Sequence, residues 1–217
     1  MESHKHMQTI LNSGVVGVIR TESSEKLLRV AEAIREGGVN CIEVAMTTPD
    51  ALDVISEVAG KLDDVLIGAG TVLDAETARS AILAGAEYLV SPTVDLDMIK
   101  MAKRYDKIVA PGAFTPTEIM TAWQAGADIV KVFPASRLGP KFISDVKSPL
   151  PQVSLMPTGG VSQDNAPDFV KAGADVVCAG SALIDKQAMK KGNFKVMTEN
   201  ARSLVQAVEK GREERNC

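Results

Sequence analysis

Histidine is nearly absent from this chain of 217 residues: only His4 and His6 occur, both in a polar N-terminal segment. That scarcity argues against a Ser/His/Asp triad or a histidine-built metal site in the core, and both residues are expected to be exposed in a mobile or helical lead-in. Cysteine is scarce too. Cys41, Cys178 and Cys217 are odd in number and show no C-x-x-C spacing, which argues against a disulfide framework or a thiolate zinc site and fits a reducing, cytoplasmic setting. No apolar run approaches the ~20 residues of a membrane span. The first residues lack a long apolar stretch ahead of a small-residue cleavage site, so no signal segment is expected. Long blocks of one charge are missing as well. With a net charge of −4 and neither sign clustered, the chain has no electrostatic footprint for nucleic acid or anionic membrane. Small-molecule chemistry remains.

What is present is ordinary globular material, 45% apolar, with a length that suits one domain over 1–217. Short β-branched runs begin at residues 15, 41, 65, 87, 107, 128, 154 and 176, so successive starts lie 20 to 26 residues apart. That is a βα period. The stretch "SSEKLLRVAEAIREGG" carries Leu27, Val30, Ala31 and Ile34 at helical spacing and stops at Gly37 and Gly38. In "TPTEIMTAWQAGAD", Thr115 is the expected N-cap, Pro116 suits the first helical position, Glu118 completes a capping box and Gly126 ends the helix. Thr48 and Pro49 read as a second cap-plus-proline start. The phrase "LAGAEYLVSP" returns as "QAGADIVKVFP" and "KAGADVVCAGS", which is explained by one αβ loop used repeatedly, with glycine supplying positive φ. Residues 185–217 read as a loop, a last amphipathic helix with Val196, Ala201, Leu204, Val205 and Val208 inward, and a disordered tail.

Eight such units in so short a chain predict a compact (β/α)8 TIM barrel with an N-terminal lead-in helix. The competing open, doubly wound sheet is disfavoured because "VVGVIRTESSEK" has no glycine fingerprint at the first crossover. In a barrel the chemistry sits at the C-terminal ends of the strands, so polar residues inside or ending those runs are the candidates. They are Arg20, Glu43, Thr71, Ser91, Lys131, and the "PTGG" and "AGS" endings at 157–160 and 179–181.

Alternation by two sorts the faces. Ile129, Lys131 and Phe133 share one side of their strand and Val130 and Val132 the other; Cys41, Glu43 and Ala45 likewise oppose Ile42, Val44 and Met46. Lys131 and Glu43 are therefore expected to point into the barrel. Charges buried there require each other or a substrate. An internal salt bridge is the bland alternative, but apolar replacement of such a pair is often neutral or stabilising, so stability explains it poorly. An amine among apolar groups can attack a carbonyl to form a Schiff base, whose protonated imine serves as an electron sink for retro-aldol cleavage. Glu43 is the matching acid/base, directly or through a water, and no metal or cofactor is needed. "TGG" at 158–160 and "GS" at 180–181 lie on neighbouring strand ends, where barrels often bind phosphate through backbone N–H groups. "GAGT" at 68–71, with Arg20, can hold a carboxylate; alternatively Arg20 is a rim residue paired with Glu22 or Glu25.

In this order, "IEVAMTTPDA", "IGAGTVL", "LVSP", "APGAFTPTE", "VKVFPA", "LMPTGGV" and "AGSAL" resemble the 2-keto-3-deoxy-6-phosphogluconate (KDPG) / 4-hydroxy-2-oxoglutarate (KHG) aldolases over roughly residues 8–208. These are class I pyruvate aldolases on small barrels. The resemblance implies Lys131 as the Schiff-base lysine and Glu43 as the general acid/base. It implies Thr71, Pro92, Phe133 and Thr158 around a pyruvyl group, with Phe133 near its methyl end or simply core. Gly159, Gly160, Gly180 and Ser181 would take a phosphate, and the assembly would be a homotrimer. One position departs: where some members carry arginine four residues after the glutamate, this chain has Thr47. Arg20, placed as in related phosphogalactonate aldolases, is the expected substitute. Two other readings stay open on the residues, a metal-independent phosphosugar isomerase and a sugar-phosphate binding module.

Overall fold

Each of the eight β-branched runs becomes a strand, and the stretches between them become helices. The computed structural model describes residues 2–20 and 26–216. The strands are β1 (Val15–Ile19), β2 (Cys41–Ala45), β3 (Leu66–Gly70), β4 (Tyr88–Val90), β5 (Ile108–Ala110), β6 (Gly112–Ala113), β7 (Val130–Val132), β8 (Leu155–Pro157) and β9 (Val177–Ala179). All pair in parallel, in the orders β5-β4-β3-β2-β1-β9 and β6-β7-β8. Pro111 separates β5 from β6, because a proline has no N–H for the ladder, although its carbonyl still accepts the Lys131 N–H at 2.9 Å. A bridge between Thr158 and Cys178 joins the ends of β8 and β9. With β5 and β6 sharing one place, the ring has eight positions: the expected (β/α)8 barrel, its fifth strand broken at a proline.

Alternation then builds two cores. Val44, Val130, Val132 and their like face outward onto the helices, with Leu27, Val30, Ala31 and Ile34 of α2 (Leu27–Glu36) wholly buried there. Val16, Cys41, Leu66, Tyr88, Ile129, Met156 and Cys178 fill the interior. Each large apolar side chain so buried contributes about 1.5–3 kcal/mol. Helix α1 (Glu2–Ser13) closes the N-terminal end of the barrel by packing Ile10, Met7 and Leu11 against that interior cluster. Gly14 ends α1 at φ 68°, and the Arg212 guanidinium, donating to the carbonyls of Asn12 and Leu11, occupies the space a side chain would need. Only the C-terminal end remains for a ligand.

Local punctuation follows the sequence closely in α6 (Pro116–Gln124). The Glu118 N–H donates to Thr115 Oγ1 at 3.3 Å, and the Thr115 N–H donates to Glu118 Oε2 at 2.8 Å. Gly85, Gly126 and Gly173 of the repeated loop all take positive φ. The acid that follows each also has a purpose the pattern did not reveal. Asp128 accepts the Val109 N–H and pairs with Lys103; Asp175 accepts the Leu155 N–H and pairs with Lys147; Glu87 pairs with Lys107.

Five expectations need correction. Thr48 does not cap α3 (Ala51–Lys61): its N–H closes a turn onto the Ala45 carbonyl, its hydroxyl is buried, and Asp50 at φ 54° precedes the helix instead. The stretch read as a loop after residue 185 holds the short helix α9 (Lys186–Lys190), and α10 (Lys195–Asn216) continues where a disordered tail was expected. Its buried face is Met197, Ala201, Leu204 and Val208, whereas Val196 and Val205 are only half-buried, because the true stripe steps by three and four from Met197. His4 is exposed, but His6 is half-buried with Nδ1 3.3 Å from Glu87 Oε2. Among the described residues no helix is long and apolar enough to cross a membrane.

Candidate active site

Lys131 occupies the middle of β7, in register with Gly112 of β6 and Met156 of β8. A central strand position with ladder bonds on both sides is a rigid mount, and its side chain is only 6% exposed. Nζ lies 4.8 Å from the centre of the Phe133 ring, one pleat along the same face. Phe133 itself is exposed at the mouth, so the ring is a wall of the opening rather than core.

Glu43, on β2, is 2% exposed and aligned with Val18 of β1 and Gly68 of β3. Its carboxyl lies in the space that Gly70 leaves open by having no side chain. Burial pushes the carboxyl above its ordinary value of 4.5, while the positive charges of Lys131 and then Arg20 pull it back. No ion pair joins Glu43 to Lys131, and Glu43 Oε2 has no hydrogen-bond partner among the described residues. The salt-bridge alternative therefore has no geometry behind it. Arg20 follows β1, exposed, and its charge reaches Glu43; Glu22 and Glu25, its alternative partners, lie outside the described residues.

The remaining candidates ring the same mouth. Thr71, directly after β3, is half-buried at φ 59°, a left-handed conformation that a β-branched residue adopts only under constraint. Pro92 follows β4 and its backbone abuts Gly112, where no side chain would fit. Thr158 is buried at the end of β8, its hydroxyl donating to the Met156 carbonyl at 3.1 Å. Gly159 and Gly160 both take positive φ, at 88° and 81°. Their loop is held to the start of α7 (Ala135–Lys147) by N–H bonds from Ala135 to the Thr158 carbonyl and from Ser136 to that of Gly159. Gly180 and Ser181 follow β9, next to β8 in the ring. Gly159, Gly160, Gly180 and Ser181 thus lie close together on the rim, where β8 and β9 end.

One residue of the interior escaped sequence reading. Tyr88, in β4, is 1% exposed and its hydroxyl has no partner among the described residues, whereas Ser91, already a strand-end candidate, is fully buried. A tyrosine on the inward face of an apolar strand was the available signal. The interior thiols are not nucleophile candidates, since burial pushes Cys41 up to about 12 and Cys178 higher still. A groove of about 520 Å³ between α2 and α10, where Arg29 stacks over Phe194, lies on the outer wall away from all of this.

An inward lysine and carboxylate at one end of a small parallel barrel have relatives. The chain is 33% identical over 195 residues to the 2-dehydro-3-deoxy-phosphogluconate aldolase of Treponema pallidum, covering 89% of this chain and 93% of that protein. It is 32% identical to the 2-dehydro-3-deoxy-6-phosphogalactonate aldolase of Escherichia coli, over 78% of this chain and 82% of that one. The KDPG aldolase of Legionella pneumophila, solved with pyruvate captured as a covalent carbinolamine intermediate, superposes with a TM-score of 0.85 at 28% identity, covering 91% and 97% of the two chains. The family described as KDPG and KHG aldolase matches residues 7–200. With fold, strand-borne lysine and matched length in agreement, the chain belongs to the KDPG and KHG aldolase family.

Proposed function

We propose that the chain is a class I aldolase that cleaves a 2-keto-3-deoxy-6-phospho sugar acid, or 4-hydroxy-2-oxoglutarate, to pyruvate and an aldehyde. The observation that carries this reading is the inward placement of Lys131 and Glu43 at one barrel mouth without an ion pair between them. The Lys131 amine adds to the C2 carbonyl, and the carbinolamine loses water to leave a protonated imine. The Glu43 carboxylate takes the proton of the C4 hydroxyl as the C3–C4 bond breaks, and the bonding pair moves into the imine to give an enamine. The aldehyde departs. Proton return to C3 and addition of water to the imine then release pyruvate and restore both residues.

Around that chemistry, Thr71, Pro92, Phe133 and Thr158 enclose the pyruvyl end. The glycine-rich ends of β8 and β9, at Gly159, Gly160, Gly180 and Ser181, suit a phosphate at the far end. Arg20 takes the role left open by Thr47. The likeness to the 2-dehydro-3-deoxy-6-phosphogalactonate aldolase makes the galactonate series the second reading. The buried free thiols Cys41 and Cys178 fit a cytoplasmic location. Exposed Leu73, Leu96 and Phe114 on consecutive βα units support self-association, and we propose a homotrimer, for which light scattering is expected to give three times 23.0 kDa.

The test is intact-mass analysis after incubation with pyruvate and borohydride. A reduced pyruvyl adduct on the Lys131 peptide, absent from Lys131→Ala, is the expected result. An unmodified wild-type protein that is folded would return the isomerase and binding-module readings.

A further inference from the structure

Glu43, Gly68 and Tyr88 form one row across three neighbouring strands, since Glu43 pairs with Gly68 and Gly68 with Tyr88 in the parallel register. The tip of the Tyr88 ring occupies the position where a side chain on Gly68 would begin. At the next interior position of β3, the Glu43 carboxyl fills the same kind of space on Gly70. Two glycines therefore open a trough in β3, entered by a phenol from one side and a carboxyl from the other. Each brings an unsatisfied atom. Among the described residues Tyr88 Oη and Glu43 Oε2 are both buried without a hydrogen-bond partner, and leaving such atoms unpaired costs about 1–3 kcal/mol each. Burial holds the Tyr88 phenol far above its ordinary value of 10, so it keeps a proton to donate. The other groups facing this pair are Lys131 on β7, Arg20 after β1, and the thiols of Cys178 and, beside Tyr88, Cys41, which burial keeps neutral.

We propose that Tyr88 is a positioning residue for Glu43: its hydroxyl donates, through one ordered water, to Glu43 Oε2, holding that carboxylate ionised and in place. The inference rests on Glu43 being the general base of the aldol cleavage. No proton leaves the phenol, and no bond is made or broken. Removing the hydroxyl takes a hydrogen bond from the charged form of Glu43, so its proton is held to higher pH.

Tyr88→Phe keeps the ring over Gly68 and deletes only the donor. Pyruvate release measured against pH is expected to show the acid limb of kcat moved up by about one pH unit, so that kcat on that limb falls about tenfold, with KM within about twofold. Replacing Tyr88 by 3,5-difluorotyrosine, a stronger donor, moves the same limb downward and provides a test should the phenylalanine variant not fold. A limb that stays put in both variants, with or without a change in melting temperature, overturns the role given to Tyr88. Borohydride trapping separates the two levels: an adduct on Lys131 in wild type and variants leaves the aldolase reading intact while the pH profiles judge Tyr88. No adduct in the wild type removes both.

Discussion

The carboxyl of Glu43 lies where the side chain of residue 70 would be if that residue were anything but glycine. A β-carbon there would overlap Oε1 and press on the rest of the carboxyl, displacing it from the mouth. Gly70→Ala is expected to lower kcat about 10²-fold, because a shift of about 1 Å in a catalytic group has that scale of effect. Borohydride trapping of pyruvate on Lys131 should persist. A variant with wild-type kcat would show that Glu43 does not act from the position it occupies.

Glu43→Gln should change stability in a pH-dependent way. Burial raises the folded carboxyl above its ordinary value of 4.5, so between the unfolded and folded values the native state binds more protons than the unfolded one. Stability therefore falls as pH rises through that window, and ionised Glu43 is a net burden above it. The glutamine variant is expected to melt higher than wild type near pH 7 and to lose that advantage below about pH 4. Equal melting temperatures across the range would contradict the burial of an ionisable carboxyl here.

Thr71 is a β-branched residue held at φ 59°. Such conformations cost about 1–3 kcal/mol and persist where the surroundings impose them. Thr71→Gly should raise the melting temperature by about 2–4 °C and raise KM for the 2-keto acid. A stabilised variant with unchanged KM would assign the strain to the turn alone.

Arg20 lies at the rim, and its charge lowers the Glu43 carboxyl after that of Lys131. Arg20→Ala is expected to move the acid limb of kcat upward and to raise KM about tenfold or more through loss of a charge-assisted contact. Assays with gluconate-series and galactonate-series substrates show which one Arg20 serves. An unchanged KM for both would leave Arg20 as a rim residue only.

Much of this was legible in one dimension because it depends on local rules. The eight-fold recurrence of β-branched runs, the capping box at Thr115, and the glycine stops at Gly37 and Gly126 are properties of a few consecutive residues. The period of two put Lys131 and Ile129 on one face and Val130 and Val132 on the other, and the interior and outer cores divide the same way. Where local signals competed, reading failed: Thr48 looks like a cap, but the turn closing onto Ala45 takes its backbone first.

What the sequence by itself determined is the barrel and the identity of the two inward charges, since alternation and turn chemistry act over neighbours. What only the tertiary structure decided is how those charges sit. The absence of a Glu43–Lys131 ion pair, the trough made by Gly68 and Gly70, and the row of Glu43, Gly68 and Tyr88 all depend on strand register. Register is set by closure of the whole ring, with Pro111 and the Thr158–Cys178 bridge as parts of it, and no stretch of neighbouring residues encodes that alone.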